Sequence, residues 1–101
     1  MRLTERCSYR PLIGNGLVLK TNIRLRNIGD VAAVVRVTAG WKIRHHYPKA
    51  KMARTVRLAA GRTVAFTVTR TIPHAPVLRA ALEPPARFDC ASLFTLIDPP
   101  D

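Results

Sequence analysis

From Leu17 to Ile43, and again from Thr55 to Thr71, apolar and polar residues alternate with a period of two, and short turns cut the alternation into strand-length pieces. A period of two puts successive side chains on opposite faces of an extended chain, whereas an amphipathic helix needs apolar residues at every third or fourth position. This part of the chain therefore has to fold as half-buried strands. In the first, Leu17, Leu19, Thr21, Ile23 and Leu25 share one face, and Val18, Lys20, Asn22, Arg24 and Arg26 the other. Gly14-Asn15-Gly16 precedes it and Asn27-Ile28-Gly29-Asp30 follows it, both turn signals because Gly and Asn accept left-handed backbone at little cost. The second run places Val31, Ala33, Val35, Val37, Ala39, Trp41 and Ile43 inward, with Arg36, Thr38, Lys42 and Arg44 opposite and Gly40 marking a bulge or bend.

His45 to Lys51 is polar, contains Pro48 and reads as a loop. Strand character returns at Thr55 to Leu58, turns at Ala60-Gly61-Arg62, and continues with Val64, Phe66 and Val68 inward. Leu3 to Arg10, Val77 to Leu82 and Ser92 to Ile97 are the remaining strand candidates. A helix over 77–82 is the alternative for the second of these, but bracketing prolines leave it too short to stand alone. Residues 98–101 read as a short extended tail. A chain of 101 residues fits one domain, 1–101, burying roughly two thirds of its unfolded surface around a single core. About seven short strands with frequent turns predict an all-β fold, a single antiparallel immunoglobulin-like β-sandwich. Its expected core is Leu19, Ile23, Leu25, Val35, Val37, Trp41, Val64, Phe66 and Val68.

The run from Ile23 to Ala32, with its Asn27-x-Gly29 turn, and the run from Val56 to Phe66, with Leu58-x-x-Gly61 before a strand bearing an aromatic, resemble bacterial Ig-like (fibronectin-III-like) domains of the CARDB and FxLYD type. The likeness covers residues 17–71 and rests on turn chemistry and alternation, so it implies fold far more than function. It implies that the strand 17–26 pairs with 63–71, and that 32–44 lies in the other sheet beside 53–58 and 77–82. The usual acidic, Gly-rich and secreted character of such domains is missing here.

Seventeen Lys and Arg against six Asp and Glu give a formal charge of +11, which favours anionic partners. Arginine outnumbers lysine 13 to 4, a bias that suits bidentate contacts but also follows from a GC-rich genome. The sheet arrangement that the resemblance implies places Lys20, Arg24 and Arg26 on one outer face and Arg36, Lys42, Arg44, Arg57 and Arg79 on the other. The densest basic stretch, Arg44 to Lys51, adds Tyr47, Lys49 and Lys51 as candidate partner-binding residues, Tyr47 being the one aromatic placed to stack.

Catalytic signatures are missing. His45, His46 and His74 have no Cys, Asp or Glu at ligand spacing, the carboxylates sit in turns or the tail, and Gly14-x-Gly16 lacks the rest of a dinucleotide fingerprint. The reading is therefore a non-enzymatic module with no cofactor and no metal. Cys7 and Cys90 lie near opposite ends, and without a signal peptide or membrane-length apolar run the expectation is two buried thiols in a cytosolic product. A disulfide is the alternative if the two ends of the chain pair side by side. The functional expectation is a small bacteriophage virion accessory protein, made in the host cytoplasm and present in several copies on capsid or tail subunits with an acidic surface. The alternative is sequence-independent nucleic-acid binding by the basic sheet faces, for which no motif speaks.

Overall fold

The computed structural model describes residues 1–84 and 87–97. In chain order its elements are β1 (Arg2–Leu12), β2 (Gly16–Arg26), β3 (Ala33–Thr38), β4 (Trp41–Ile43), β5 (Arg54–Leu58), β6 (Thr63–Ile72), α1 (Pro76–Ala81), β7 (Phe88–Cys90) and β8 (Leu93–Ile97). The strand that alternates most cleanly, β2, is the centre of an antiparallel sheet ordered β1-β2-β6. Register follows the alternation: Leu25 faces Leu3 on one side and Val64 on the other, and Ile23 faces Phe66. Every apolar residue of β2 except Val18 thus lands on one side of the sheet.

The second sheet is ordered β5-β3-β8, and the β3–β8 ladder continues into β4–β7 with unchanged offset: Val34 faces Ile97, Thr38 faces Leu93, Trp41 faces Cys90 and Ile43 faces Phe88. The interruption between the two pieces is Gly40. A Cβ there would lie 2.6 Å from the Ala91 carbonyl oxygen, so only glycine lets the strands come this close. The Gly40 N–H donates to Ser92 Oγ, and its carbonyl accepts from the Ala91 N–H.

Leu17, Leu19, Ile23 and Leu25 from β2 meet Val35, Val37, Trp41 and Ile43 from β3 and β4 in one core, which makes the fold an antiparallel β-sandwich. Trp41 is fully buried and its Nε1–H donates to the Lys20 carbonyl across the core at 3.1 Å. Val64, Phe66 and Val68 also face the core, but β6 is an edge strand and leaves them half-buried, with the Arg54 guanidinium 4.3 Å over the Phe66 ring. Val31, expected inward, is 73% exposed because the turn after β2 extends to it before β3 begins.

That turn is organised by Asn27, which is buried. Its Nδ2 donates to the carbonyls of Val31 (2.8 Å) and Leu58 (3.0 Å), its Oδ1 accepts from the Gly29 N–H, and its backbone bonds both Gly61 and Arg62. One side chain thus ties the exit of β2 to the β5–β6 turn. Asn27→Ala is expected to lower unfolding free energy by about 2–3 kcal/mol in a urea titration, because buried carbonyls lose their donor. Asn27→Asp should cost nearly as much, since an ionised carboxylate donates nothing. A change below about 0.5 kcal/mol would show the bonds to be expendable.

Two expectations are corrected. Residues 76–81 are helical rather than a strand, and β8 with β7 takes the place beside β3 and β4 expected for 77–82. A six-residue helix is unstable alone, but this one starts with Pro76, whose fixed φ suits the first turn, and is fastened from outside. Arg79 Nη1 donates to the Leu12 and Gly16 carbonyls, and Arg44 Nε donates to the Ala81 carbonyl at the helix end. The segment after β4 is a loop, as expected, and it is tied back onto the sheet: Arg44 and His45 form a two-residue turn, Trp41 N–H bonds the Pro48 carbonyl, and Ala50 N–H bonds the Ala39 carbonyl. Finally, Cys7 and Cys90 are not free thiols but a disulfide that joins β1 to β7 and so links the two sheets. The tail expected at 98–101 lies outside the described residues.

Candidate functional site

Folding the apolar face of β2 inward forces its charged face outward, and antiparallel pairing with β1 brings a second set of arginines beside it. The rungs of this outer face are Arg2–Arg26, Thr4–Arg24, Arg6–Asn22, Ser8–Lys20 and Arg10–Val18. Each carries at least one cation. Rungs on one face are two residues apart, about 6.8 Å, so the ladder of charge runs for about 27 Å. The third column, from β6, is Thr63, Ala65, Thr67, Thr69 and Thr71, short side chains that leave the arginines standing clear.

Six cations and, among the described residues, no carboxylate occupy this face, and all six side chains are exposed. Arg2 directly opposite Arg26 is a like-charge cross-strand pair, which destabilises a sheet. Such an arrangement acts against the fold unless an anion is supplied from outside. Two shallow hollows punctuate the face. One of about 400 Å³ lies among Thr4, Glu5, Arg6, Asn22, Ile23, Arg24 and Ala65, the Glu5 carboxylate being bonded to Thr21 and Ser92, and one of about 230 Å³ among Arg2, Thr4, Arg24, Arg26 and Thr63. Both are large enough for a carboxylate or phosphate group, with guanidinium forks and hydroxyls around it.

Of the residues expected from the sequence to bind a partner, Lys20, Arg24 and Arg26 are on this ladder. Arg36 and Arg57 are exposed on the outer face of the second sheet, but Arg36 stands between Thr55 and Thr95, and Arg57 is opposite Val34, so they do not form a comparable field. Lys42 is half-buried, opposite Asp89, with its ammonium 5.7 Å from the Tyr47 ring. Arg44 has φ 55° and spends its guanidinium on the Ala81 and Glu83 carbonyls, which makes it a fastener of α1. Lys49 and Lys51 are exposed on the segment that pairs back on β4 and β3, and Tyr47 is exposed beside them. Arg79 is anchored within the fold and not on an outer sheet face.

Arg2, Arg6 and Arg10 were not singled out from the sequence, although the signal was present. They share parity along one strand, opposite Leu3 and Cys7, which turn toward the core. What the sequence withheld was that this strand lies beside β2.

Glu5 points between the sheets, accepting from Thr21 Oγ1 and the Ser92 N–H, both at 3.1 Å. Among the described residues no three His, Cys, Asp or Glu side chains cluster in a way that could hold a metal ion, and no helix is long and apolar enough to cross a membrane. Comparisons with protein-family models, with curated proteins and with solved structures find no match to this chain.

Proposed function

We propose that this chain is a non-enzymatic docking module that lays the outer face of β1-β2-β6 on an acidic protein surface. The observation that carries the reading is the ladder of exposed cations from Arg2–Arg26 to Arg10, which has no carboxylate beside it among the described residues. Its pitch repeats every second residue of an extended chain, which suits a flat protein partner whose own carboxylates stand at strand spacing. Resemblance to Ig-like domains and a sheet-linking disulfide, a bond that persists in oxidising surroundings, support a place on the outside of an assembly. The form of that assembly we favour is a bacteriophage capsid or tail, with this chain as an accessory protein contributing stability rather than chemistry. Many weakly held copies would act together through avidity.

A second reading is sequence-independent nucleic-acid binding. Favouring it, the step of about 6.8 Å equals two nucleotide rises of about 3.4 Å along one strand. Against it, the face has no aromatic on which bases could stack.

Poly-glutamate and a mixed-sequence duplex are suitable probes. Arg6→Glu with Arg24→Glu is expected to weaken poly-glutamate binding at least about tenfold, equivalent to about 1.4 kcal/mol. The same charge change at Arg36 and Arg57 should have less than about a threefold effect. Equal losses from both pairs would reduce the ladder to bulk charge. Tighter binding to the duplex than to poly-glutamate, with a log–log salt slope near −0.9 per phosphate neutralised, would move the assignment to nucleic acid.

A further inference from the structure

Every strand except β8 carries a charged side chain, and β8, Leu93-Phe94-Thr95-Leu96-Ile97, is an edge strand bonded only to β3 among the described residues. The other sheet edges are guarded. β1 displays Arg2, Arg6 and Arg10 together with Pro11, β5 displays Arg54 and Arg57, and β6 is flanked by Ala50–Met52 and by Arg54 over Phe66. Charges, proline and covering segments are the devices that stop edge strands from pairing with other chains. Among the described residues β8 has none of them, and it exposes Leu93 by 63%, Phe94 by 37% and Leu96 by 53%.

We infer that β8 pairs antiparallel with β8 of a second copy of this chain, about a two-fold axis through Thr95. The strand is its own complement in that register. Leu93 would face Ile97 of the second copy on the outer side, Phe94 would face Leu96 on the inner side, and Thr95 would face Thr95. Each pair repeats by symmetry, as an isologous contact requires. A second copy is the occupant because the remainder of the surface repels one: with a charge of +11, two copies can approach closely only where charge is absent. Pairing joins two second sheets into one six-stranded sheet and leaves the cation ladder, on the other sheet, uncovered. An axis normal to the joined sheet also sets both ladders on the same side of the dimer. If the proposed docking role holds, the dimer doubles the face offered to one surface.

A five-residue edge is short of the roughly 1,000 Å² of a tight interface, so the dimer is weak and concentration-dependent. Sedimentation velocity over about 5–500 μM is expected to show the mass rising from 11.2 kDa toward twice that value. Raising salt from about 50 mM to about 500 mM should strengthen association by screening the repulsion, the opposite of its effect on polyanion binding. Leu93→Lys, at an exposed position, should weaken the dimer at least tenfold while leaving poly-glutamate binding intact, so failure here is separable from failure of the docking role. Under mild oxidation Thr95→Cys should form a covalent dimer and Leu93→Cys should not, since the two copies of residue 93 lie about 14 Å apart in this register. A monomer at every concentration, an unaffected Leu93→Lys variant, equal cross-linking at both positions, or growth beyond the dimer would overturn the inference.

Discussion

Trp41→Ala is expected to lower the unfolding free energy by about 4–5 kcal/mol, the upper end of the range for aromatic truncation in a core. Trp41 is the largest fully buried side chain, it sits on the short strand just beyond Gly40, and it is the place where β4 reaches across to β2. Truncation opens a cavity between two sheets that cannot close up, because the disulfide and Gly40 hold that end of the second sheet in place. It also removes the donor to the Lys20 carbonyl. Trp41→Phe keeps most of the volume and loses the hydrogen bond, so it should cost about 1–2 kcal/mol. Chemical denaturation of the two variants separates packing from hydrogen bonding. An alanine variant within about 1 kcal/mol of the parent would contradict a core centred on this residue.

Replacing both Cys7 and Cys90 by serine is expected to cost about 4 kcal/mol, because the bond closes a loop of sequence separation 83 and loop-closure entropy grows with the logarithm of length. For a domain of this size each kcal/mol moves the melting midpoint by about 4–8 °C, so the fall should be about 15–30 °C. β1 is an edge strand held by β2 on one side, and it meets the second sheet through this bond, the Tyr9–Phe88 edge contact at 4.9 Å and the Glu5–Ser92 hydrogen bond. Intact mass should show two protons fewer than the thiol form, restored by reductant, and reduction should lower thermal stability as the double serine variant does. A native protein carrying two alkylatable thiols would return the chain to the expectation drawn from its sequence.

The disulfide illustrates what linear spacing hides. Cys7 and Cys90 each stand on a strand whose position depends on partners far away in sequence: β1 is placed by β2, and β7 by β4. The helix at 76–81 is a similar case. Its own residues are too few to nucleate, and the stabilising bonds come from Arg44 and from the carbonyls of Leu12 and Gly16, dozens of residues distant. Arg44 and Arg79 were expected to display charge, but both direct their guanidinium groups at backbone carbonyls, because buried carbonyls need donors and a long arginine can reach them.

By itself the sequence determined most of the strands, β2, β3, β5 and β6 among them, and the inward faces of β2 and of β3 with β4; the pairings of β2 with β6 and of β3 with β5 came from the likeness to Ig-like domains. A period of two leaves one solution for residues such as Leu19, Ile23, Val35 and Trp41, and the Gly61 turn sets the β5–β6 connection. It also determined that Lys20, Arg24 and Arg26 point outward, as the necessary complement of a buried opposite face. Only the tertiary structure decided that Arg2, Arg6 and Arg10 join them while Arg36 and Arg57 stay scattered, that Cys7 meets Cys90, and that β8 is a sheet edge with no further strand beside it among the described residues. Side-chain direction is a local property of extended backbone, whereas which strand lies beside which is settled by burying all the apolar faces at once, a condition on the whole chain.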